Sequence, residues 1–297
     1  MQIIKDIKSI NNLSLALGFF DGVHIAHQKV ISEAVEFAQS NKIKSGVVTF
    51  AKHPVCYLKN LEPSYIFQRK YCYELIEKLG VDFLIELDFE TISGLSAQEY
   101  LKNILVKYLS PKAIFTGYNH TFGNHRSGDP QFLRKNTEKY DYKYFEVPPQ
   151  KVNDEIVSSS KIREYLKDGK IQNANQMLGR EFCVDGIVIE GNKIGRTIGF
   201  PTANIEYPKN TVKIPNGVYA VKTIVKNKEY CAIANFGTKP TINDNGQKIL
   251  EVNIFNFDEN IYFQNIEVKF LNFIRPEKKF SNLAELKEQI QKDIKAY

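Results

Sequence analysis

Short apolar runs alternate with amphipathic stretches through the first half of the chain. Residues 15–20, 43–50, 83–87 and 113–117 carry apolar runs bounded by polar or turn residues and read as buried strands. Tyr100, Leu101, Ile104, Leu105, Tyr108 and Leu109 recur at helical spacing, which predicts an amphipathic helix over 96–109. Strand and helix repeated in this way predict a parallel sheet with right-handed crossovers. The ligands of such sheets bind beyond the carboxyl ends of the strands.

The pattern changes after Pro148 and Pro149. A helical stretch over 160–178, interrupted at Gly169, gives way to short strands expected at 183–189, 218–225, 230–235, 250–255 and 266–273. Gly, Pro, Asn and Asp fill turns between several of them, so the second half is expected to be mostly β, a small closed or sandwiched sheet. Ser281 can cap a last helix whose Leu283, Leu286, Ile290 and Ile294 share one face and can cover that sheet. A chain of 297 residues fits two domains, and the change of pattern sets their expected extents at 1–182, with the connecting helices, and 183–297. Neither half contains an internal repeat or a low-complexity tract.

Apolar residues make up 43% of the chain and charged residues 25%, the balance of a globular protein, so both halves are expected to fold. Residues 1–8 lack the apolar core of a secretory signal and no stretch is long enough to span a bilayer. A cytoplasmic address without a membrane partner is therefore expected. Cys56, Cys72, Cys183 and Cys231 include no C-x-x-C pair and read as reduced bystanders. The formal charge of +6 is scattered among 34 acidic residues without a long basic run. Anionic small substrates explain it as well as nucleic acid would, and no nucleic-acid partner is expected.

The most informative segment is Gly18-Phe19-Phe20-Asp21-Gly22-Val23-His24-Ile25-Ala26-His27, which ends the first strand and opens the first helix. A glycine-containing turn there lets backbone N–H groups face a phosphate, and the positive end of the following helix favours the anion. His24 and His27 project from the same side of the first turn and can hydrogen-bond phosphate oxygens while charge develops on phosphorus. Two histidines at this spacing also arise by chance; the strand–turn–helix setting favours phosphate chemistry. Thr49-Phe50-Ala51-Lys52-His53-Pro54 follows the second strand. Gly117-Tyr118-Asn119-His120-Thr121-Phe122-Gly123 ends another and runs on into Arg126-Ser127-Gly128-Asp129. In Val157-Ser158-Ser159-Ser160-Lys161-Ile162-Arg163 the serines can cap a helix and donate to phosphate, and Arg163 offers a planar fork for triphosphate oxygens. A simple helix cap with a surface arginine is the plainer alternative.

These segments resemble the G-x-F-D-G-x-H-x-G-H signature and its companions in the nucleotidyltransferase superfamily, in the form used by bacterial FAD synthetases. The resemblance implies a Rossmann-like domain that binds ATP and FMN through Gly18, Phe19, Asp21, Asn119, Ser159, Ser160 and Arg163, with His24 and His27 catalytic. Ala26 departs from the family's usual glycine, and its methyl group can crowd the triphosphate. Asn119 stands where Asp is as frequent as Asn, which leaves its role open.

A second loop, Gly191-Asn192-Lys193-Ile194-Gly195-Arg196-Thr197-Ile198-Gly199-Phe200-Pro201-Thr202-Ala203-Asn204, has three glycines that permit close backbone approach to phosphates. Lys193 and Arg196 can neutralise those phosphates, and Thr202 and Asn204 offer hard oxygen ligands for Mg²⁺. Downstream, Leu250, Val252 and Ile254 face a core while Glu251 and Asn253 face the other way. An acidic residue on the outer side of a strand is usually only solvated. The Pro-Thr-Ala-Asn run resembles the P-T-A-N motif of riboflavin kinases, and Glu251 then matches their catalytic glutamate. Pro215-x-Gly217-Val218-Tyr219, Asn235-Phe236-Gly237-x-x-Pro240-Thr241 and Ile274-Arg275-Pro276-Glu277 fit the same family, whose fold is a β-barrel with a C-terminal helix. Phe263 replaces an expected glycine, and Arg275 reads either as a flavin or phosphate contact or as a surface salt bridge.

Together the two resemblances imply a bacterial bifunctional riboflavin kinase/FMN adenylyltransferase, with riboflavin, FMN and ATP as substrates and Mg²⁺ as cofactor. Ala26 and Asn119 leave open a kinase whose adenylyltransferase domain is weak or regulatory. A flavin- or nucleic-acid-binding module without turnover is the rival from another class.

Overall fold

The apolar runs of the first half pair as a parallel sheet in the order β1-β4-β3-β2-β5-β6: β1 (Gln2–Ile4), β2 (Leu13–Leu17), β3 (Lys44–Phe50), β4 (Phe83–Leu87), β5 (Pro111–Gly117) and β6 (Lys143–Val147). The structure is a computed structural model that describes residues 1–6, 9–59, 61–191, 194–238 and 248–297, apart from the side chains of 58, 59, 194 and 196. From β2 the chain moves outward through β3 to β4, then returns to lay β5 and β6 on the other side of β2. That reversal puts a switch point between β2 and β5, where the turns after both strands leave the same carboxyl edge. A small antiparallel ribbon, β7 (Lys151–Val152) with β8 (Glu155–Ile156), follows the sheet.

Each strand buries what its composition dictates. β2 is buried along all five residues, and Leu13, Leu15 and Leu17 join Ile85, Leu105 and Ile114 in one core. The edge strands β1 and β6 escape sequence reasoning because one has three residues and the other buries only Val147. β2, expected over 15–20, stops at Leu17 rather than reaching Phe20, since the chain bends at Gly18. Ser96 and Glu99 cap the 96–109 helix reciprocally, with the Ser96 N–H and hydroxyl each donating to Glu99 at 2.8 Å. Tyr100, Leu101, Leu105 and Leu109 are its buried residues, and Tyr100–Leu109 winds in the wider π register.

The chain folds into two compact units, Met1–Pro63 with Arg69–Ser159, and Ser64–Gln68 with Ser160–Tyr297. The second is a closed antiparallel barrel in the order β10-β13-β12-β11-β14-β9: β9 (Phe182–Ile189), β10 (Ala203–Glu206), β11 (Gly217–Val225), β12 (Lys228–Thr238), β13 (Lys248–Ile254) and β14 (Asn265–Pro276). Closure leaves no open sheet edge. The expected helical stretch is two helices, Ser159–Lys167 and Ile171–Leu178, separated where Gly169 adopts φ 73°. Asn175 latches the second helix to the barrel, accepting from the Phe182 N–H at 2.7 Å and donating to the Phe270 carbonyl at 2.8 Å. The short segment Ser64–Gln68 joins the same unit: Tyr65 bridges to Thr211, and the Phe67 ring stacks on Phe182 at 5.9 Å.

The last helix runs Leu283–Lys295, and its cap is Asn282 rather than Ser281, because the Asn282 side chain accepts the Glu285 N–H at 3.0 Å. Leu286, Ile290 and Ile294 are half-buried as expected, but Leu283 is 54% exposed. The deepest residue of the helix is Asp293, drawn in by Arg275.

Candidate functional site

At the end of β2 the backbone is strained. Phe20 (φ 56°), Gly22 (φ 78°) and Val23 (φ 40°) all lie in the left-handed region, and for a β-branched valine this is a genuine outlier. A turn of alternating hand of this kind turns successive N–H groups to one side, the geometry that cradles anions. Gly18 is needed because the Phe20 ring folds back over it; a Cβ there would sit 2.9 Å from Phe20 Cζ. His24 then caps the helix Ile25–Ser40, its Nδ1 accepting the His27 N–H at 3.3 Å. Accepting at Nδ1 assigns the neutral ring its proton at Nε2. The two imidazoles stack at 3.5 Å and 19°. His24 is buried and His27 half-buried, and the Phe20 ring meets His27 edge-on at 5.2 Å.

The other expected residues of this site distribute as follows. Asp21 is buried, and its carbonyl accepts the Ser159 hydroxyl at 3.0 Å. The Phe19 ring meets His53 at 4.6 Å, which brings the Thr-Phe-x-x-His-Pro segment after β3 to the same edge. Asn119 is exposed in the turn after β5, the strand beside β2. Ser160 and Arg163 belong to the second unit, where the Arg163 Nε donates to the Ser64 carbonyl at 2.7 Å. Ala26 is half-buried in the first turn of its helix. One residue that sequence reasoning passed over, Arg69, spans the turns after β2 and β3.

His120 in the turn after β5 stacks on Phe122 at 5.7 Å, and its Nε2 is sealed from solvent with no hydrogen-bond partner among the described residues. Burial holds its pKa down at about 4 against an ordinary 6.5. Between those values the unfolded chain takes up the proton and the folded chain does not. The stability it contributes is therefore complete above pH 6.5 and is lost as pH falls towards 4. His120→Phe is expected to remove roughly 1–2 kcal/mol of the stability difference between pH 7 and pH 5, read by urea unfolding at both. An identical pH dependence in the two proteins would show that His120 does not titrate with folding.

In the barrel, the register sets Asn204 of β10 opposite Glu251 of β13, and Glu251 opposite Asn235 of β12. Asn204 and Glu251 are thus cross-strand neighbours. Gly191 lies under the Asn204 amide: a Cβ at 191 would sit 2.7 Å from Asn204 Cγ and overlap its nitrogen. Gly195 packs as closely on the Phe200 carbonyl, and its own carbonyl accepts the Phe200 N–H at 2.8 Å. Thr202 is half-buried and lines a cavity of about 290 Å³ with Pro201, Ala203, Val252 and Tyr262. Lys193 lies outside the described residues, as do Pro240 and Thr241, and the Arg196 side chain is not among those described.

Glu251 is exposed as a residue, yet protein crowds its carboxyl. Desolvation raises its pKa above the ordinary 4.5, and the neighbouring Glu277 carboxylate raises it further. Glu277 is held by Asn216, whose amide nitrogen donates to it at 2.8 Å. Asn253, expected to share the outer face with Glu251, is buried there, because its amide donates to the Pro201 carbonyl at 2.8 Å and ties the Pro-Thr loop to β13. Arg275 forms a salt bridge, though a largely buried one rather than the surface pair expected: Nε and Nη2 grip the buried Asp293 at 2.7–3.1 Å, and Nη1 donates to the Pro276 carbonyl. Phe263 has φ 62°, which accounts for the glycine expected at that position.

The arrangement comprises a strained, histidine-flanked turn in one unit, and a carboxylate set cross-strand from an amide in the other. Two family models match this chain. The family model described as FAD synthetase matches residues 6–161, and the one described as riboflavin kinase matches 178–297. A bifunctional riboflavin kinase/FMN adenylyltransferase of Buchnera aphidicola (Schizaphis graminum) is 38% identical over 297 residues, covering 98% of this chain and 95% of its own. The protein of that name from Bacillus subtilis is 36% identical over 286 residues, covering 94% and 89%. A solved structure described as a macrolide-efflux protein from Streptococcus pneumoniae matches with TM-score 0.89 and 30% identity over 99% of this chain and 97% of its own. The efflux description belongs to that protein; among the described residues here no helix is long and apolar enough to cross a membrane. With two family models and near full-length relatives in agreement, this chain belongs to the bifunctional riboflavin kinase/FMN adenylyltransferase family.

Proposed function

We propose that the chain phosphorylates riboflavin to FMN at the barrel and adenylylates FMN to FAD at the parallel sheet, consuming ATP at each site. The observation that carries this reading is the separation of the two motif sets: His24 and His27 stack at the β2 turn, while Asn204 and Glu251 pair across β10 and β13. At the barrel, Glu251 accepts the proton of the riboflavin 5′-hydroxyl as that oxygen attacks the γ-phosphorus and ADP leaves. At the sheet, an FMN phosphate oxygen attacks the α-phosphorus and pyrophosphate leaves. There His24 and His27 donate hydrogen bonds to phosphate oxygens, and the turn at 18–23 cradles the triphosphate.

The kinase residues fit Mg²⁺. The Thr202 hydroxyl and the Asn204 amide oxygen are hard, neutral ligands, and the described residues contain no cluster of three His, Cys, Asp or Glu that could cage a metal. Magnesium suits such a sparse set, because it keeps waters and takes its remaining ligands from substrate phosphates. When bound it neutralises charge on the transferring phosphate. A cytoplasmic location and small-molecule partners, without nucleic acid, fit this chemistry.

Incubating the purified protein with riboflavin and Mg-ATP, then resolving FMN, FAD, ADP and pyrophosphate by chromatography, tests the reading. FMN with ADP, followed by FAD with pyrophosphate, is the expected result. FMN alone at saturating substrate favours the kinase with a weak or regulatory first domain, and neither product overturns the proposal.

Two variants probe the kinase site. Gly191→Ala pushes the Asn204 amide aside and is expected to lower kinase kcat/KM by about 10–100-fold, with FAD formation from FMN unchanged. A normal value would show that Asn204 does not hold the metal and phosphates. Glu277→Gln keeps an acceptor for Asn216 but removes the like charge beside Glu251. Glu251 works deprotonated, so the kinase rate falls as pH drops through its raised pKa. The acid limb of kcat/KM is therefore expected to move to lower pH in this variant, and an unmoved limb would show that the two carboxylates do not interact.

A further inference from the structure

Arg69 opens the helix Arg69–Lys78, and no motif singled it out. Its Nη1 donates to the Phe19 carbonyl at 3.1 Å, and its Nη2 donates to the Thr49 hydroxyl at 3.2 Å and the Phe50 carbonyl at 2.9 Å. The guanidinium also lies 4.4 Å from the centre of the Phe19 ring and 5.0 Å from that of Tyr73. It thus ties the ends of two neighbouring parallel strands, β2 and β3, at the edge where the strained turn begins.

Holding that cation there has a cost. Its Nε is buried without a hydrogen-bond partner, and no carboxylate stands at ion-pair distance among the described residues. Glu86, reached through the Tyr73 hydroxyl that donates to it, pairs with Lys5 at 3.6 Å instead. A buried donor left unmade destabilises the fold, so a latch needed only for folding would be better served by a neutral side chain. What the guanidinium supplies, and an ammonium does not, is a planar fork that meets several acceptors at fixed angles.

The acceptors are informative. The Phe19 carbonyl receives both Arg69 and the Thr49 hydroxyl, the latter at 3.0 Å, so its peptide plane is fixed from two sides. The next residue is Phe20 at φ 56°, and Gly22 and Val23 return to the left-handed region immediately before His24. Strained turns persist only where their surroundings over-determine them. Arg69 pins the entry to this turn, as Ser159 pins its middle through the Asp21 carbonyl.

We propose that Arg69 is a positioning residue for FMN adenylylation: by clamping the Phe19 and Phe50 carbonyls and the Phe19 ring, it holds the turn that presents His24 and His27 to the triphosphate. The proposal rests on the adenylyltransferase reading above, and its test separates the two. Wild-type protein is assayed first, and failure to make FAD from FMN would sink that reading whatever Arg69 does. In Arg69→Ala, kcat for adenylylation is expected to fall by about 10–100-fold, as misplacement of reacting groups does, with riboflavin phosphorylation by the same sample unchanged. Added guanidinium, at concentrations too low to unfold the protein, should restore part of the lost rate in Arg69→Ala but not in Arg69→Lys, whose own side chain fills the space with a point charge. Wild-type adenylylation in Arg69→Ala would overturn the proposal. So would a loss in Arg69→Ala that guanidinium does not restore, or full activity in Arg69→Lys.

Discussion

Replacing His24 and His27 together with alanine is expected to abolish FAD formation from FMN and ATP, while FMN formation from riboflavin continues at the wild-type rate. The two rings stack at 3.5 Å at the exit of the strained turn, and hydrogen-bond donors at this place act on charge that develops only as the α-phosphorus is attacked. Removing one such donor commonly costs about 10²–10³ in turnover, so loss of both leaves little. His24 also caps its helix, and an alanine there costs about 0.5–2 kcal/mol of stability. His24→Asn with His27→Ala separates the roles, because asparagine keeps the capping acceptor and lacks the imidazole donor. Retained adenylylation in that variant would show that the imidazoles are not needed, and the site would have to be sought elsewhere.

Glu251→Gln is expected to lower riboflavin phosphorylation by about 10²–10⁴-fold with little change in KM, because the amide keeps the size of the side chain and loses the base. The substitution leaves the buried neighbours Leu250 and Val252 untouched, so the barrel should melt at or slightly above the wild-type temperature. It also removes a crowded carboxylate that Glu277 repels. Turnover is read as FMN and ADP formed per enzyme per unit time. A rate within a factor of a few of wild type would remove Glu251 from proton transfer.

Much of this was legible in the sequence where a single physical demand acted on neighbouring residues. The β2 run and the helical face of 96–109 each follow from the local apolar pattern, and the structure has both; around Glu251 the strand forms, but its alternation breaks at the buried Asn253. What escaped depends on contacts far apart in the chain. Arg69 is one of 40 basic residues until the turns after β2 and β3 converge on it. Asn253 reads as solvated until the Pro201 carbonyl folds over it. Ser64–Gln68 carries no sign that it packs with the barrel, because Tyr65 and Phe67 show their partners, Thr211 and Phe182, only in three dimensions. Asn282 and Ser281 are equally good caps by type, and the geometry of the incoming chain decides between them.

Mixing the two disabled proteins gives the sharpest test of two independent sites in one chain. Glu251→Gln should make FAD from FMN but little product from riboflavin, and the double histidine variant should stop at FMN. Combined in one tube with riboflavin and Mg-ATP, the pair should make FAD, with FMN released by one protein and adenylylated by the other. No FAD from the mixture, although each protein keeps its own half-reaction, would contradict free exchange of FMN between separate sites. Loss of both half-reactions in either variant would contradict the division of labour itself.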